Sequence, residues 1–354
     1  MPIWKRRDFL KVLSAAPLLK LGGEYSRRTV DLVRESVVID MLGLLTLDWA
    51  KLDRWWRQAG AFDSGAFRKI EGSGITVFHP AVDLNTPRPF ETIRDWALDW
   101  NAFIARYPGD FLRVDGPEDF ARAKNAGKAG IILGLQNSEH FRTVADVGFF
   151  YGLGQRVSQL TYNAQNAIGA GCAVERDPGL TTYGARVVEE MNRIGMAVDI
   201  SHTGDQTSLD AIALSKKPVL ITHSNCRALN PRHRRCKPDD MIRAVAARGG
   251  VMGITSIRSF VGGRDRVTIE DVLDHFDHVA RIAGIEHVGV GSDNDVDGGA
   301  GGRSPRRLDV AGLDGPQRIF NLTEGLVRRG YTDRDIRLIL GGNFQRALAD
   351  IWTV

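Results

Sequence analysis

Cysteine is scarce in this chain: 354 residues contain three, Cys172, Cys226 and Cys236. An odd number without C-x-x-C spacing suggests neither a disulfide framework nor a zinc ribbon, and it leaves the redox compartment open. Long apolar runs are missing too. The N-terminal run from Val12 to Leu19 contains Pro17 and falls far short of the roughly 20 residues that cross a bilayer, so no integral membrane span is expected. Nor does one sign of charge dominate. The 47 basic residues face 43 acidic ones, for a net charge of +4, which is too diffuse for nucleic-acid binding. Much of the excess lies in the N-terminal tail and two arginine clusters, Arg232, Arg234 and Arg235 around His233, and Arg303, Arg306 and Arg307. A dinucleotide loop is also absent, since Gly152-Leu153-Gly154 is too short and misplaced.

With 43% apolar and 25% charged residues, the chain can bury a large core. Lys5-Arg6-Arg7-Asp8-Phe9-Leu10-Lys11 resembles a twin-arginine export signal. Residues 1–23 are therefore read as a signal or tail and 24–354 as one domain, with a periplasmic location expected and a cytoplasmic one as the alternative.

What organises the remainder is a series of short apolar, β-branched segments, each followed by helical periodicity and closed by Gly or Pro. Eight occur: Val37–Met41, Ile75–Pro80, Gly130–Gln136, Val157–Tyr162, Met196–Ser201, Val219–Thr222, Val251–Thr255 and His287–Ser292. Near-continuous apolar runs are what strands buried on both faces require. Between them Phe90–Arg106, Thr181–Ile194, Asp205–Leu214, Asp239–Ala247 and Ile269–Ala283 have amphipathic spacing. A last helix is expected over Asp333–Ile351, with Thr332 and Asp335 at capping-box spacing. This alternation predicts an α/β fold, a (β/α)8 TIM barrel of the metal-dependent hydrolase type. Gly298–Gly302 then reads as a loop beside the barrel mouth.

In such a barrel the chemistry sits at the carboxyl ends of the strands. His202, His223 and Asp293 fall there, and two imidazoles with a carboxylate suit a zinc ion with an open position for water. Asn163, Gln165 and Asn166, with Cys172, Glu175 and Asp177, are placed to line the pocket, Cys172 reading as an inert thiol. His79 reads as structural. His275 and His278, one turn apart on an outer helix, read as a solvent-facing pair.

Gly195-Met196-Ala197-Val198-Asp199-Ile200-Ser201-His202, Thr222-His223-Ser224-Asn225 and Gly289-Val290-Gly291-Ser292-Asp293 resemble the renal, or membrane, dipeptidase family. So do Leu160-Thr161-Tyr162-Asn163, Gly179-Leu180-Thr181, Val187-Val188-Glu189-Glu190-Met191-Asn192 and Ile339-Leu340-Gly341-Gly342-Asn343-Phe344. The resemblance implies a barrel hydrolase with two zinc ions that cleaves dipeptides and related small amides, often as a homodimer. It assigns His202 and His223 to one zinc, Asp293 to the other metal and to proton handling, and a substrate-carboxylate clamp to Arg234 or Arg235, leaving that choice open.

The chain departs from the family at several positions. Where the family reads D-G-H-x-D in its first strand, this chain reads Asp40-Met41-Leu42-Gly43-Leu44, and leucine has no lone pair to offer a metal. The bridging glutamate falls at Gln136, and the histidine of an L-T-H segment at Tyr162. These losses predict a single-metal site of His202 and His223, with Asp293 or Gln136 as a further ligand, Asp293 as general base, and Tyr162 in the catalytic group. Arg234 or Arg235, Asn163 and Asn166 would bind a dipeptide or small amide with a free carboxylate. The alternatives are a catalytically impaired pseudoenzyme that uses the pocket for ligand binding, and a lyase or isomerase on the same fold.

Overall fold

The computed structural model describes residues 25–83, 85–263, 266–297 and 310–353. The twin-arginine segment, the Gly298–Gly302 loop and the cluster of Arg303, Arg306 and Arg307 lie outside the described residues.

Among the described residues lie twelve short strands: β1 (Ile39–Asp40), β2 (Gly43–Leu44), β3 (Val77–Phe78), β4 (Phe111–Arg113), β5 (Ala129–Ile131), β6 (Leu133–Leu135), β7 (Gln155–Gln159), β8 (Ala197–Asp199), β9 (Ile221–Ser224), β10 (Met252–Ile254), β11 (Val288–Val290) and β12 (Asn294–Asp295). Every pairing between them is parallel. β1 pairs with β3, β3 with β5, β6 with β7, and β7 with β8. β9 pairs with β10, β10 with β11, and β11 with β1 again. Ile132 alone separates β5 from β6, and a bridge between Asp199 and Leu220 links β8 to the start of β9. The pairs therefore run in a ring, and each of the eight expected segments contributes to it.

Three strands were not anticipated. β2 and β12 pair with each other above the first and last barrel strands. β4 pairs with β5 alone. Only one of its three residues is buried, so it lacks the apolar signature of a strand covered on both faces.

The helices fall where the periodicity put them: Pro89–Arg106, Thr182–Ile194, Asp205–Leu214, Asp239–Ala247 and Ile269–Ala283. Thr181 caps its helix through the Gly184 amide. The last helix is interrupted. Asp333–Arg337 gives way to a π-helical turn at Leu338–Gly342 before Asn343–Trp352 resumes. Here the chain presses against the first strand: a Cβ on Gly341 would lie 2.0 Å from the Val37 carbonyl oxygen. Phe344, Ala347, Leu348, Ile351 and Trp352 beyond it pack with Ile39, Val77, Val157 and Leu220, closing the amino-terminal end of the barrel. Thr332 caps Asp335 as expected, its oxygen accepting from the Asp335 amide at 3.2 Å.

The reading of His275 and His278 as solvent-facing is corrected, because both are buried. His275 Nδ1 accepts from the Cys226 amide at 3.0 Å and its Nε2 donates to the Val261 carbonyl at 3.0 Å. His278 meets Asp239 at 2.8 Å. An imidazole can carry polar partners inward, so its place on an amphipathic helix is not settled by polarity alone. Among the described residues no helix is long and apolar enough to cross a membrane.

Candidate active site

β8 and β9 each end in a histidine at the carboxyl mouth. His202 follows β8 by three residues and His223 lies within β9. Their Nε2 atoms face each other across 3.1 Å. His202 Nδ1 is 2.7 Å from Asn163 Oδ1, a pure acceptor, so it carries the proton there. His223 Nδ1 is 2.9 Å from the Thr222 hydroxyl, which itself donates to Asp199. Both Nε2 atoms thus present lone pairs to one point. Burial, and next the charge of Arg235, hold both imidazoles well below their ordinary pKa. Two neutral imidazoles with converging lone pairs suit a metal vertex, for which Zn–N bonds of about 2.0–2.1 Å set the nitrogen separation near this value.

The remaining positions are less hospitable to a second ion. Leu42, Leu44 and Ala81 are buried in an apolar cluster of their own, with Leu47 against it. Asp40, at the head of that strand, is fully buried and committed elsewhere: it accepts from the Ser292 amide and hydroxyl at 2.8 and 2.5 Å and pairs with buried Arg318 at 3.1 Å. Gln136 donates to the Ala81 carbonyl at 3.1 Å. Among the described residues no set of three or more His, Cys, Asp and Glu is disposed to hold a metal ion. The two imidazoles are thus the donors that suit a metal ion here, and any further ligand would have to be of another kind.

Asp293 follows β11 in the left-handed region, with φ 60°, a conformation that aspartate tolerates better than most residues. Its amide donates to the Leu42 carbonyl at 3.0 Å. Tyr162 stacks on His202, with centroids 4.2 Å apart and planes 22° apart. Burial, then the nearby charges of Asp293 and Asp83, raise its pKa, so the phenol keeps its proton at neutral pH.

The two arginines differ in burial. Arg235 is buried over Phe260 and donates to the His223 carbonyl at 2.7 Å and the Ser224 hydroxyl at 3.1 Å. Its Nε is also buried and has no partner among the described residues. Arg234 is exposed and donates to the Glu175 carbonyl. Asn166 is tied to Asn137 Oδ1 and the Leu160 carbonyl, and Asn137 in turn to Asp83. Cys172 donates to Asn163 Oδ1 at 3.3 Å. Asp177 accepts from the Thr207 amide and hydroxyl at 2.9 and 2.6 Å.

Sequence reasoning missed Lys237. It is buried with its ammonium on the Thr203 carbonyl at 2.8 Å, and its pKa is brought down to about 7 by burial and Arg235. Its place directly before Pro238, in a run of basic residues, masked it.

A parallel eight-stranded ring with an imidazole pair and a buried arginine at its carboxyl mouth defines a barrel of the amidohydrolase type. Within that class the chain belongs to the membrane dipeptidase family, peptidase family M19, whose model matches residues 70–354. It is 36% identical over 200 residues to an uncharacterized dipeptidase of Schizosaccharomyces pombe, a match covering 54% of this chain and 48% of that protein. The chain thus spans about half the length of that curated relative. An amidohydrolase structure from Pseudomonas aeruginosa superposes with a TM-score of 0.79 at 28% identity, covering 92% of this chain and 99% of the other. A metallo peptidase from Rhodobacter sphaeroides, liganded with a phosphinate mimic of the dipeptide L-Ala-D-Ala, shares the fold at a TM-score of 0.74 and 20% identity, over 90% of this chain and 100% of that one.

Proposed function

We propose that the protein is a metal-dependent hydrolase of a small amide bearing a free carboxylate, a dipeptide or N-acyl amino acid, with one zinc ion held by His202 and His223. The observation that carries this reading is the pair of bare Nε2 atoms 3.1 Å apart, with buried Arg235 anchored to the same strand end. Asp293 or Gln136 supplies a further ligand oxygen. A metal ion held at this point would polarise an amide carbonyl and lower the pKa of bound water.

The side chains around the pair divide the rest of the work. Arg235 offers its unpartnered Nε–H to the substrate carboxylate, and its planar fork suits that group. Asn163 fixes the ring of His202, and Tyr162 covers its face while keeping a proton available. Asp293 accepts a proton from water and returns it to the leaving nitrogen. Asn166 braces the loop over Asn137.

A second reading, a pseudoenzyme that binds a ligand without converting it, is favoured by one observation, the apolar cluster of Leu42, Leu44 and Ala81. Metal analysis of the purified chain, together with a screen of dipeptides and N-acyl amino acids, separates the two. Metal-dependent turnover with release of the free amine supports hydrolysis. Metal-free protein that binds such a ligand unchanged supports the second reading.

A further inference from the structure

One layer below the imidazole pair, Asp199 ends β8 with 1% of its surface exposed. It makes no hydrogen bond to either imidazole, and its two oxygens divide their partners unequally. Oδ1 accepts three donors: the Ser201 amide at 3.0 Å, the Ser201 hydroxyl at 2.6 Å and the Thr222 amide at 3.0 Å. Oδ2 accepts one, the Thr222 hydroxyl at 2.7 Å. A hydroxyl has a single proton. With that proton given to Asp199, the Thr222 oxygen can meet His223 Nδ1, 2.9 Å away, only as an acceptor. His223 must then be protonated on Nδ1, and its Nε2 is left bare towards His202.

We propose that Asp199 is a positioning residue which, through the Thr222 hydroxyl, locks His223 in the Nδ1–H tautomer and so keeps Nε2 available as a metal ligand. The lock rests on hydrogen bonds alone, and its purpose rests on reading the imidazole pair as ligands. Outer partners of this kind orient metal-binding histidines generally. Here the device has two links, a carboxylate acting through a neighbouring hydroxyl.

The asymmetry of the carboxylate makes Asp199→Asn a discriminating test. Three donors hold the amide oxygen at the Oδ1 position, so the NH2 group falls where Oδ2 was. It then donates to the Thr222 oxygen, Thr222 turns its proton towards His223 Nδ1, and the imidazole proton moves to Nε2. Replacing a carboxylate by a carboxamide imposes the wrong tautomer by the same logic in other imidazole sites.

The experiment uses the full chain with 15N-labelled histidine, long-range proton–nitrogen NMR of the metal-free protein, and zinc titration. The expected result is Nδ1–H at His223 in the wild type and Nε2–H in Asp199→Asn. Zinc affinity should fall roughly 10- to 100-fold in that variant. Thr222→Ser, which keeps the hydroxyl, should retain both wild-type properties, and Thr222→Val should show mixed tautomers with weakened zinc binding. A folded Asp199→Asn chain with His223 still protonated on Nδ1 and wild-type zinc affinity overturns the proposal. Should that variant not fold, Thr222→Val decides in the same way: an unchanged tautomer and affinity overturn it. A wild type that shows Nδ1–H and yet takes up no zinc keeps the lock and removes the metal reading.

Discussion

The Arg235 guanidinium donates to the backbone carbonyl of His223 across 2.7 Å. The group proposed to hold the substrate carboxylate is thereby anchored to the residue proposed to hold the metal, so the distance between the two ends of a substrate is set by one strand end. Arg235→Lys keeps the charge and loses the fork. It is expected to raise KM for carboxylate-bearing substrates by roughly 10- to 100-fold, the worth of a charge-assisted hydrogen bond, with a smaller effect on kcat. Arg234→Ala should stay within about twofold, as exposed substitutions usually do. Steady-state kinetics on both variants checks the assignment, and equal losses would remove it.

Metal content provides the second check. Purified protein should contain about one zinc per chain, because the apolar cluster of Leu42, Leu44 and Ala81 offers no donors to a second. Chelation should abolish turnover, and His202→Ala or His223→Ala should lose the ion. Two zinc ions per chain by elemental analysis would contradict the single-metal reading.

Stability should fall with acid. Burial brings His140 down to about 3 and His275 down to about 4. In the unfolded chain both titrate near 6.5. A histidine depressed on folding binds fewer protons in the native state, so its contribution is present above about pH 6.5 and is lost as pH falls towards the folded value. By the size of the shifts the full losses are on the order of 5 kcal/mol for His140 and about 3 kcal/mol for His275. Urea unfolding at pH 7 and pH 5 should show the loss, and His275→Asn should flatten the slope. A pH-independent midpoint over this range would count against the burial of both rings.

Gly134 has no room for a side chain. A Cβ there would stand 1.9 Å from His79 Nε2, while His79 is itself held by its Nδ1–H to the Met41 carbonyl at 2.6 Å. Gly134→Ala is expected to cost about 1–3 kcal/mol, the usual penalty of overpacking. His79→Ala in the same chain should recover most of it. Thermal unfolding of the single and double variants measures the coupling, and additive losses would mean that the two residues do not share the space.

The barrel was largely legible in the sequence because strands buried on both faces must be apolar, and each of the eight runs overlaps a strand. Several lengths were overstated, since Val37–Met41 yields Ile39–Asp40 and Ile75–Pro80 yields Val77–Phe78. β4 escaped because two of its residues are only partly buried. Among the site residues, strand ends pointed to His202, His223 and Asp293, yet no pattern in one dimension separates Arg234 from Arg235. That difference is one of burial, which depends on Phe260 and Ser224 arriving from elsewhere. The buried histidines of the Ile269–Ala283 helix were misread for the same reason: their partners, Cys226, Val261 and Asp239, are distant in sequence. Asp199 lay in plain view within an apolar run, but its role depends on which of its two oxygens faces Thr222.

The hydrocarbon patch formed by Leu42, Leu44 and Ala81 has a bearing on inhibitor selectivity. A compound whose potency comes from an anionic group shared between two cations would meet, on one side, a wall that can neither neutralise nor hydrate it. On the proposed single-metal reading, a ligand carrying a methyl or other small alkyl group at that point, with a single metal-seeking atom and a carboxylate for Arg235, would gain contact here. Such a compound would be a means of telling this chain apart from two-metal enzymes in a mixture.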